Sequence, residues 1–311
     1  MRLLLAYDGS AYGEVLLSDL KRAGLPANVE ATTLSVADVW LPEAAPEWGD
    51  ALLAPESVQA AVMRSRDASQ SALQKARDDA ESMAQRLREA FPQWRVSSEA
   101  RADSPASAIL ECAEAFSAEL IVLGAYGGDV WERLFLGSVA AQTLEQAHCS
   151  VRIARPSRRN LNGSRLLVGV DGSPQAQATV HAVSNRYWGA ESAACVMTVL
   201  DSSLVTASLF SYDLGEENSE GDVLQARMQS LLEGYAERLQ RSGLQSSTLL
   251  VEGDPRRELL REAEDWQADC LFVGAQGLRS KERFLMGSVA RSLVERSPCS
   301  VEIVRDASVA I

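Results

Sequence analysis

The chain has 311 residues, 46% hydrophobic and 23% charged, with a net charge of −13. That length suits two domains of about 150 residues each. The acidic balance argues against a nucleic-acid partner, whose non-specific affinity comes from Lys and Arg neutralising phosphates. Too few apolar residues precede Asp8 for a signal-peptide core or a membrane span, so a cytoplasmic protein without a membrane partner is expected. Five cysteines without CxxC spacing, and only His148 and His181 as histidines, suggest neither a disulfide framework nor a metal centre.

The chain repeats itself. RLL at 2–4 and DGS at 8–10 recur at 165–167 and 171–173, a shift of 163, whereas GSVA at 137–140 and CSV at 149–151 recur 150 residues later. The first copy thus carries 13 extra residues, which the sequence places in the Trp- and Pro-bearing segment 39–56. Domains at 1–155 and 164–306 are expected, joined by a polar, basic linker at 156–163.

In chain order, the apolar runs 3–7, 31–36, 94–98, 120–125 and 150–154 suit buried parallel strands, as do 166–170, 195–200, 247–251, 270–275 and 300–304. Between the second and third strands of each copy, Leu73, Ala76, Ala80, Met83, Ala84, Leu87 and Phe91, then Leu224, Met228, Leu231, Leu232, Tyr235 and Leu239, recur at helical spacing. Pro105 behind Ser104 and Pro255 behind Asp254 open a further helix. Strand–helix alternation implies a parallel sheet covered on both faces, with ligands at the carboxyl ends of its strands.

The segment GAYGGDVWERLFLGSVA (124–140) and its counterpart GAQGLRSKERFLMGSVA (274–290) carry glycine, two residues, glycine, nine residues, glycine-serine. Glycines after a buried strand permit positive φ and close backbone approach to a ligand. Gly-Ser-Val then opens a helix whose unpaired N–H groups favour phosphate. This spacing, present twice, resembles the ATP-binding signature of the universal stress protein family, and the resemblance spans nearly the whole chain.

The resemblance implies two tandem Rossmann-like α/β domains of the adenine-nucleotide α-hydrolase-like type, each a five-stranded parallel sheet with helices on both faces. It also implies a dimer-like contact through the last strands, supplied within the chain as a pseudo-dimer, and leaves a homodimer open. ATP with Mg2+ is the implied ligand. Carried over, Asp8 and Asp171 fall near the ribose, and Val36 and Val199 meet adenine. Gly124, Gly127, Gly137, Ser138 and Val139 contact ribose and phosphate in the first copy, with Gly274, Gly277, Gly287, Ser288 and Val289 in the second.

The residues alone leave Asp8 and Asp171 open to a turn role in Asp-Gly-Ser. The family's glycine before the third helix is kept as Gly253 and replaced by Asp103. The loop 278–286 carries Arg279, Lys281, Glu282 and Arg283 against Asp129, Glu132 and Arg133 in 128–136, so the second copy is the more basic. With no catalytic constellation near either loop, nucleotide-dependent regulation in a stress response is expected; weak ATP hydrolysis or a ligand-free assembly module are the alternatives.

Overall fold

The computed structural model describes residues 1–39, 56–125, 136–159, 163–200, 220–277 and 286–305. Its elements are β1 (Arg2–Ala6), α1 (Gly13–Leu20), β2 (Glu30–Ala37), α2 (Glu56–Ala90), β3 (Arg95–Ala102), α3 (Pro105–Phe116), β4 (Leu120–Gly124), α4 (Ser138–Gln146) and β5 (Ser150–Ala154) in the first copy. The second copy contributes β6 (Arg165–Gly169), α5 (Pro174–Ser184), β7 (Ala193–Leu200), α6 (Glu220–Arg241), β8 (Gln245–Glu252), α7 (Pro255–Asp265), β9 (Cys270–Gly274), α8 (Ser288–Arg296) and β10 (Ser300–Val304). This is the α/β alternation read from the sequence, with a mostly parallel sheet.

Two compact units result, one of residues 1–13 and 27–121, the other of 14–26 and 122–311. In the first unit β2 pairs in parallel with β1 and with β3, Leu4 facing Thr32 and Thr32 facing Ser97. The α2 stripe lies on this sheet: Ala76, Ala80, Met83, Ala84 and Leu87 are buried, and Thr33 Oγ1 donates to the Ala80 carbonyl at 2.8 Å.

Helix α2 has 35 residues where α6 has 22. The segments preceding them, 38–55 and 201–219, are of comparable length, so the 13 extra residues lengthen the helix and not the loop. The expectation for 39–56 is corrected accordingly. Residues 56–90 hold neither Gly nor Pro and are rich in Ala, so nothing in them stops helix propagation. The Trp40 and Trp48 segment and the acidic 213–219 stretch lie outside the described residues.

In the second unit the strands run β4-β5-β10-β9-β6-β7-β8. From β10 to β8 they form a five-stranded parallel sheet. Its core is Phe272, Leu166, Val168, Val180, Val183, Val196, Leu232 and Leu239. Strands β5 and β10 are antiparallel, with Arg152 opposite Glu302.

Segment 14–26 belongs to this unit for a visible reason. Arg152 donates to Asp19 through Nε at 2.6 Å and Nη2 at 2.9 Å, and to Glu302 through Nη1 at 3.1 Å. Arg186 grips the other side of Glu302, with Nη1 to Oε2 at 2.9 Å and Nη2 to Oε1. Ser300 Oγ donates to Asp19 at 2.6 Å, and both guanidiniums lie near the Phe272 ring. Nearby, Gly24 has φ +63°, and a Cβ there would come within 2.7 Å of the Trp188 indole.

The first residues of the expected linker are held as well. Ser157 Oγ donates to Asp269 Oδ1 at 2.8 Å, Arg159 pairs with Asp269 Oδ2 at 2.9 Å, and Arg158 pairs with Glu264. Polar, basic chemistry here docks the chain onto acidic residues at and beyond the C-terminal end of α7.

Burial alone would push the Glu302 carboxyl up, yet the charges of Arg186 and Arg152 outweigh it and hold the pKa below the ordinary value. Because the folded pKa is depressed, this stabilisation is full above the unfolded carboxylate range and is lost as pH falls through the folded value. Glu302→Ala leaves two buried guanidiniums short of an acceptor and is expected to cost about 3–5 kcal/mol in urea unfolding at neutral pH, with the gap to wild type closing below about pH 4. A loss under about 1 kcal/mol at pH 7 would contradict this account of the cluster.

Candidate functional site

In the second copy the predicted residues gather where β6, β7 and β9 end. Asp171 follows β6, Val199 is the penultimate residue of β7, and Gly274 closes β9. The Val170 N–H donates to Met197 O at 2.9 Å and Thr198 Oγ1 to Val170 O at 2.8 Å, which ties the β6 and β7 ends together. Gly277 lies directly against Asp171: a Cβ on it would stand 2.5 Å from Oδ2. Gly287 donates to Ala275 O at 2.8 Å, bringing the start of α8 back to the β9 exit. Asp171, Gly277, Gly287 and the first turn of α8 therefore share one end of the sheet.

Asp171 Oδ1 accepts from the Ser173 N–H at 3.0 Å, and Asp8 repeats this with Ser10 at 3.0 Å. Both aspartates thus have the turn role, and it is the following Gly9 and Gly172 that take positive φ, +77° and +81°.

The described loop glycines do not. Gly137 and Gly287 have φ −61° and −63° with ψ near 150°, and Gly124, Gly274 and Gly277 are likewise absent from the positive-φ set. The expectation that these glycines serve a left-handed backbone is corrected: extended φ values suit any residue. What they provide is room. At Gly274 the room is used, since a Cβ would lie 2.8 Å from Gln175 Cβ on α5. At Gly287 the nearest atom to a Cβ is 3.4 Å away, and at Gly137 3.6 Å, ordinary van der Waals contact. Among the described residues, nothing requires glycine at either position.

Helices α4 and α8 open at Ser138 and Ser288 as expected, behind Gly137 and Gly287, with no side-chain cap. Helix α5 is capped by Ser173 and α7 by Asp254, each accepting a first-turn N–H. Ser138 and Ser288 are exposed, Val139 and Val289 half-buried. Among the described residues, these two helix starts thus have first-turn N–H groups without a side-chain cap, behind a glycine N-cap.

In the first copy, Asp8 and Val36 belong to the first unit and Gly124, Gly137, Ser138 and Val139 to the second. Gly127, Asp129, Glu132 and Arg133 lie outside the described residues, as do Arg279, Lys281, Glu282 and Arg283. Gly253 takes φ +148° while Asp103 does not take positive φ, although Gly253 N–H donates to Leu200 O at 2.9 Å and Asp103 N–H to Ala37 O at 3.1 Å. The two copies keep the strand-end bond and differ in the local backbone.

Tyr235 on α6 stands close enough to Asp171 that burial first and the carboxylate charge second raise its phenol pKa. The sequence shows Tyr235 only as part of an apolar stripe; its position near Asp171 comes from the fold. A cleft of about 740 Å3 between α5 and α6, lined by Gln177, Arg227, Gly234, Tyr235 and Arg238 among others, contains none of the predicted site residues.

The strand–helix alternation and mostly parallel sheet define a Rossmann-like α/β fold class. Residues 1–155 and 164–305 each match the model of the universal stress protein family, and the chain belongs to that family. A relative in the same family from Staphylococcus saprophyticus is 29% identical over 143 residues, 45% of this chain and 82% of its own length. The solved universal stress protein of Archaeoglobus fulgidus covers 98% of this chain and 98% of its own at 20% identity, with a TM-score of 0.64. A universal stress protein solved in complex with cAMP covers 47% of this chain and 98% of its own at 22% identity, with a TM-score of 0.33. Among the described residues no helix is long and apolar enough to cross a membrane.

The two kinds of loop glycine separate by substitution. Gly274→Ala is expected to destabilise the protein by about 1–3 kcal/mol through overlap with Gln175, whereas Gly287→Ala, at φ −63°, should be neutral or stabilising by up to about 1 kcal/mol without ligand. Thermal unfolding of both variants checks this, and equal losses would contradict it.

Proposed function

We propose that the second copy binds ATP with Mg2+ at the β9–α8 glycine loop, and that binding serves regulation and not demanding chemistry. The observation that carries this reading is the combination at Gly287, among the described residues, of ordinary backbone angles, ordinary van der Waals room for a Cβ and a helix start without a side-chain cap. A glycine that neither φ nor the described packing requires is explained by a ligand group occupying the space a side chain would fill.

Within this reading the N–H groups of Ser288 and Val289 and the Ser288 hydroxyl hold phosphate oxygens, Gly277 lets the chain pass close to the ribose, Asp171 Oδ2 accepts from a ribose hydroxyl, and Val199 borders adenine. Magnesium would be held by the phosphates of the nucleotide, since no cluster of three or more His, Cys, Asp or Glu among the described residues is set to hold a metal. The first copy keeps the same assignment for Asp8, Val36, Gly124, Gly127, Gly137, Ser138 and Val139 by correspondence of sequence. Cytoplasmic residence fits the use of a cellular nucleotide, and domains of 1–155 and 164–306 give each copy its own loop.

Calorimetric titration with ATP and magnesium is expected to give saturable binding in the low-to-mid micromolar range, about −7 to −8 kcal/mol. Gly277→Val, which displaces the Asp171 carboxylate, should weaken it at least about tenfold with the fold intact. No heat at millimolar ATP, or normal binding by Gly277→Val, overturns the reading, and cAMP run in parallel separates a preference for the triphosphate from one for the nucleoside.

The second site should be the tighter by roughly three- to thirty-fold, a gap that shrinks with salt, because the net charge of its loop sequence is +2 against −1 in the first. Ser288→Tyr should remove the tighter event and Ser138→Tyr the weaker; the reverse refutes the charge argument.

A further inference from the structure

Strands β5 and β10 meet about a pseudo-two-fold axis, and the contacts around that axis are of two kinds. Several of those away from the axis are reciprocal, although the pair Arg291–Glu145 is not, its counterpart positions being Ala141 and Glu295. Arg155 Nη2 donates to Val294 O at 2.7 Å, and Arg305 Nη2 donates to Leu144 O at 2.6 Å. Arg155 N–H donates to Ser300 Oγ at 2.9 Å, and Arg305 N–H to Ser150 Oγ at 3.1 Å. In the ladder Val151 faces Ile303 and Ile153 faces Val301, β-branched in every case. Each of these reciprocal contacts would form equally well if a first copy met a first copy, or a second a second.

The axis itself is different. Residues 152 and 302 are equivalent positions of the two copies, 150 apart, and they are each other's partners in the ladder. At this point alone in the ladder a residue would meet its own duplicate in a pairing of like copies. Here one is Arg and the other Glu, both fully buried. Asp19 and Arg186 reinforce the difference, since a shift of 163 gives Asp19 the counterpart Ala182 and Arg186 the counterpart Ala23.

We infer that the Arg152–Glu302 pair is a selectivity lock: it directs the β5 edge to the β10 edge and rejects pairing of two β5 edges or two β10 edges between chains. Arg152 already has Asp19 and Glu302 already has Arg186, so each copy carries its own counter-ion wherever it goes. What a like pairing forfeits is the central hydrogen bond, and what it gains is two guanidiniums or two carboxylates face to face without water. Buried like charges and unmet donors are an effective means of rejecting a wrong partner whose remaining surface fits. The occupant of the β5 edge is therefore the second copy.

The pairing preference is read directly when the covalent tie is cut in the folded, full-length protein. A protease site introduced at 160–162 is cleaved, the nicked protein is incubated, and native mass spectrometry counts the three species: first with first, first with second, second with second. Nicked wild type is expected to show only the unlike pair. Asp19→Asn/Arg152→Leu, which makes the first copy's axis position compatible with itself, should produce first-with-first pairs, and Arg186→Met/Glu302→Leu should produce second-with-second pairs. Circular dichroism establishes which variants fold, and either one suffices. Like pairs in nicked wild type near the about 1:2:1 statistical ratio would overturn the inference, as would folded variants that still form only the unlike pair. The wild-type arm decides the question even if neither variant folds.

Discussion

Four buried charges, Asp19, Arg152, Arg186 and Glu302, are satisfied largely by one another, and much of the second unit is arranged to do so. Meeting Arg152 draws residues 14–26 away from the rest of the first copy and onto the second unit. Meeting Glu302 fixes β10 against β5, and β10 in turn sets the register of β9, Val304 opposite Gly274. The turn that leaves β9 starts from that register, with Ala275 N–H donating to Val304 O at 3.0 Å. The proposed phosphate loop thus leaves from a strand held in place by an ionic cluster, which suits a site built on a rigid element.

Glycine appears in this chain for three separate physical reasons. Gly9 and Gly172 serve turns that need positive φ. Gly274 serves the close approach of β9 to α5. Gly137 and Gly287 satisfy neither need, and the space they leave lies beside a helix start without a side-chain cap. Only the last kind points to something outside the chain, and sequence alone cannot separate it from the other two.

Much of the fold was legible. The runs SVRIA and SVEIV match β5 and β10 residue for residue, because a short apolar stretch bounded by polar residues has few alternatives to a buried strand. The α2 stripe was read in its place, but the helix begins at Glu56, well before Leu73, a start not read because residues 56–72 lack the apolar spacing that marks a packed helix. The excess residues were assigned to the segment with Trp and Pro for the same reason: aromatic and breaker residues attract attention, whereas an Ala-rich polar stretch does not.

The ionic cluster escaped because its members are far apart in sequence, Asp19 and Arg152 being 133 positions apart. The signal was nevertheless present, as a charged residue at the centre of each apolar run, Arg in one copy and Glu in the other. Reading the loop glycines as positive-φ residues failed because composition shows where glycine is and not which constraint it answers. The central claim, that the glycine loop holds an adenine nucleotide, is tested most directly by mass spectrometry of ligands released from protein purified under native conditions. The account predicts an adenine nucleotide carrying phosphate in stoichiometric amount, reaching at least about one per chain when ATP is supplied during purification. Release of no nucleotide under those conditions, from protein that is folded, would contradict it.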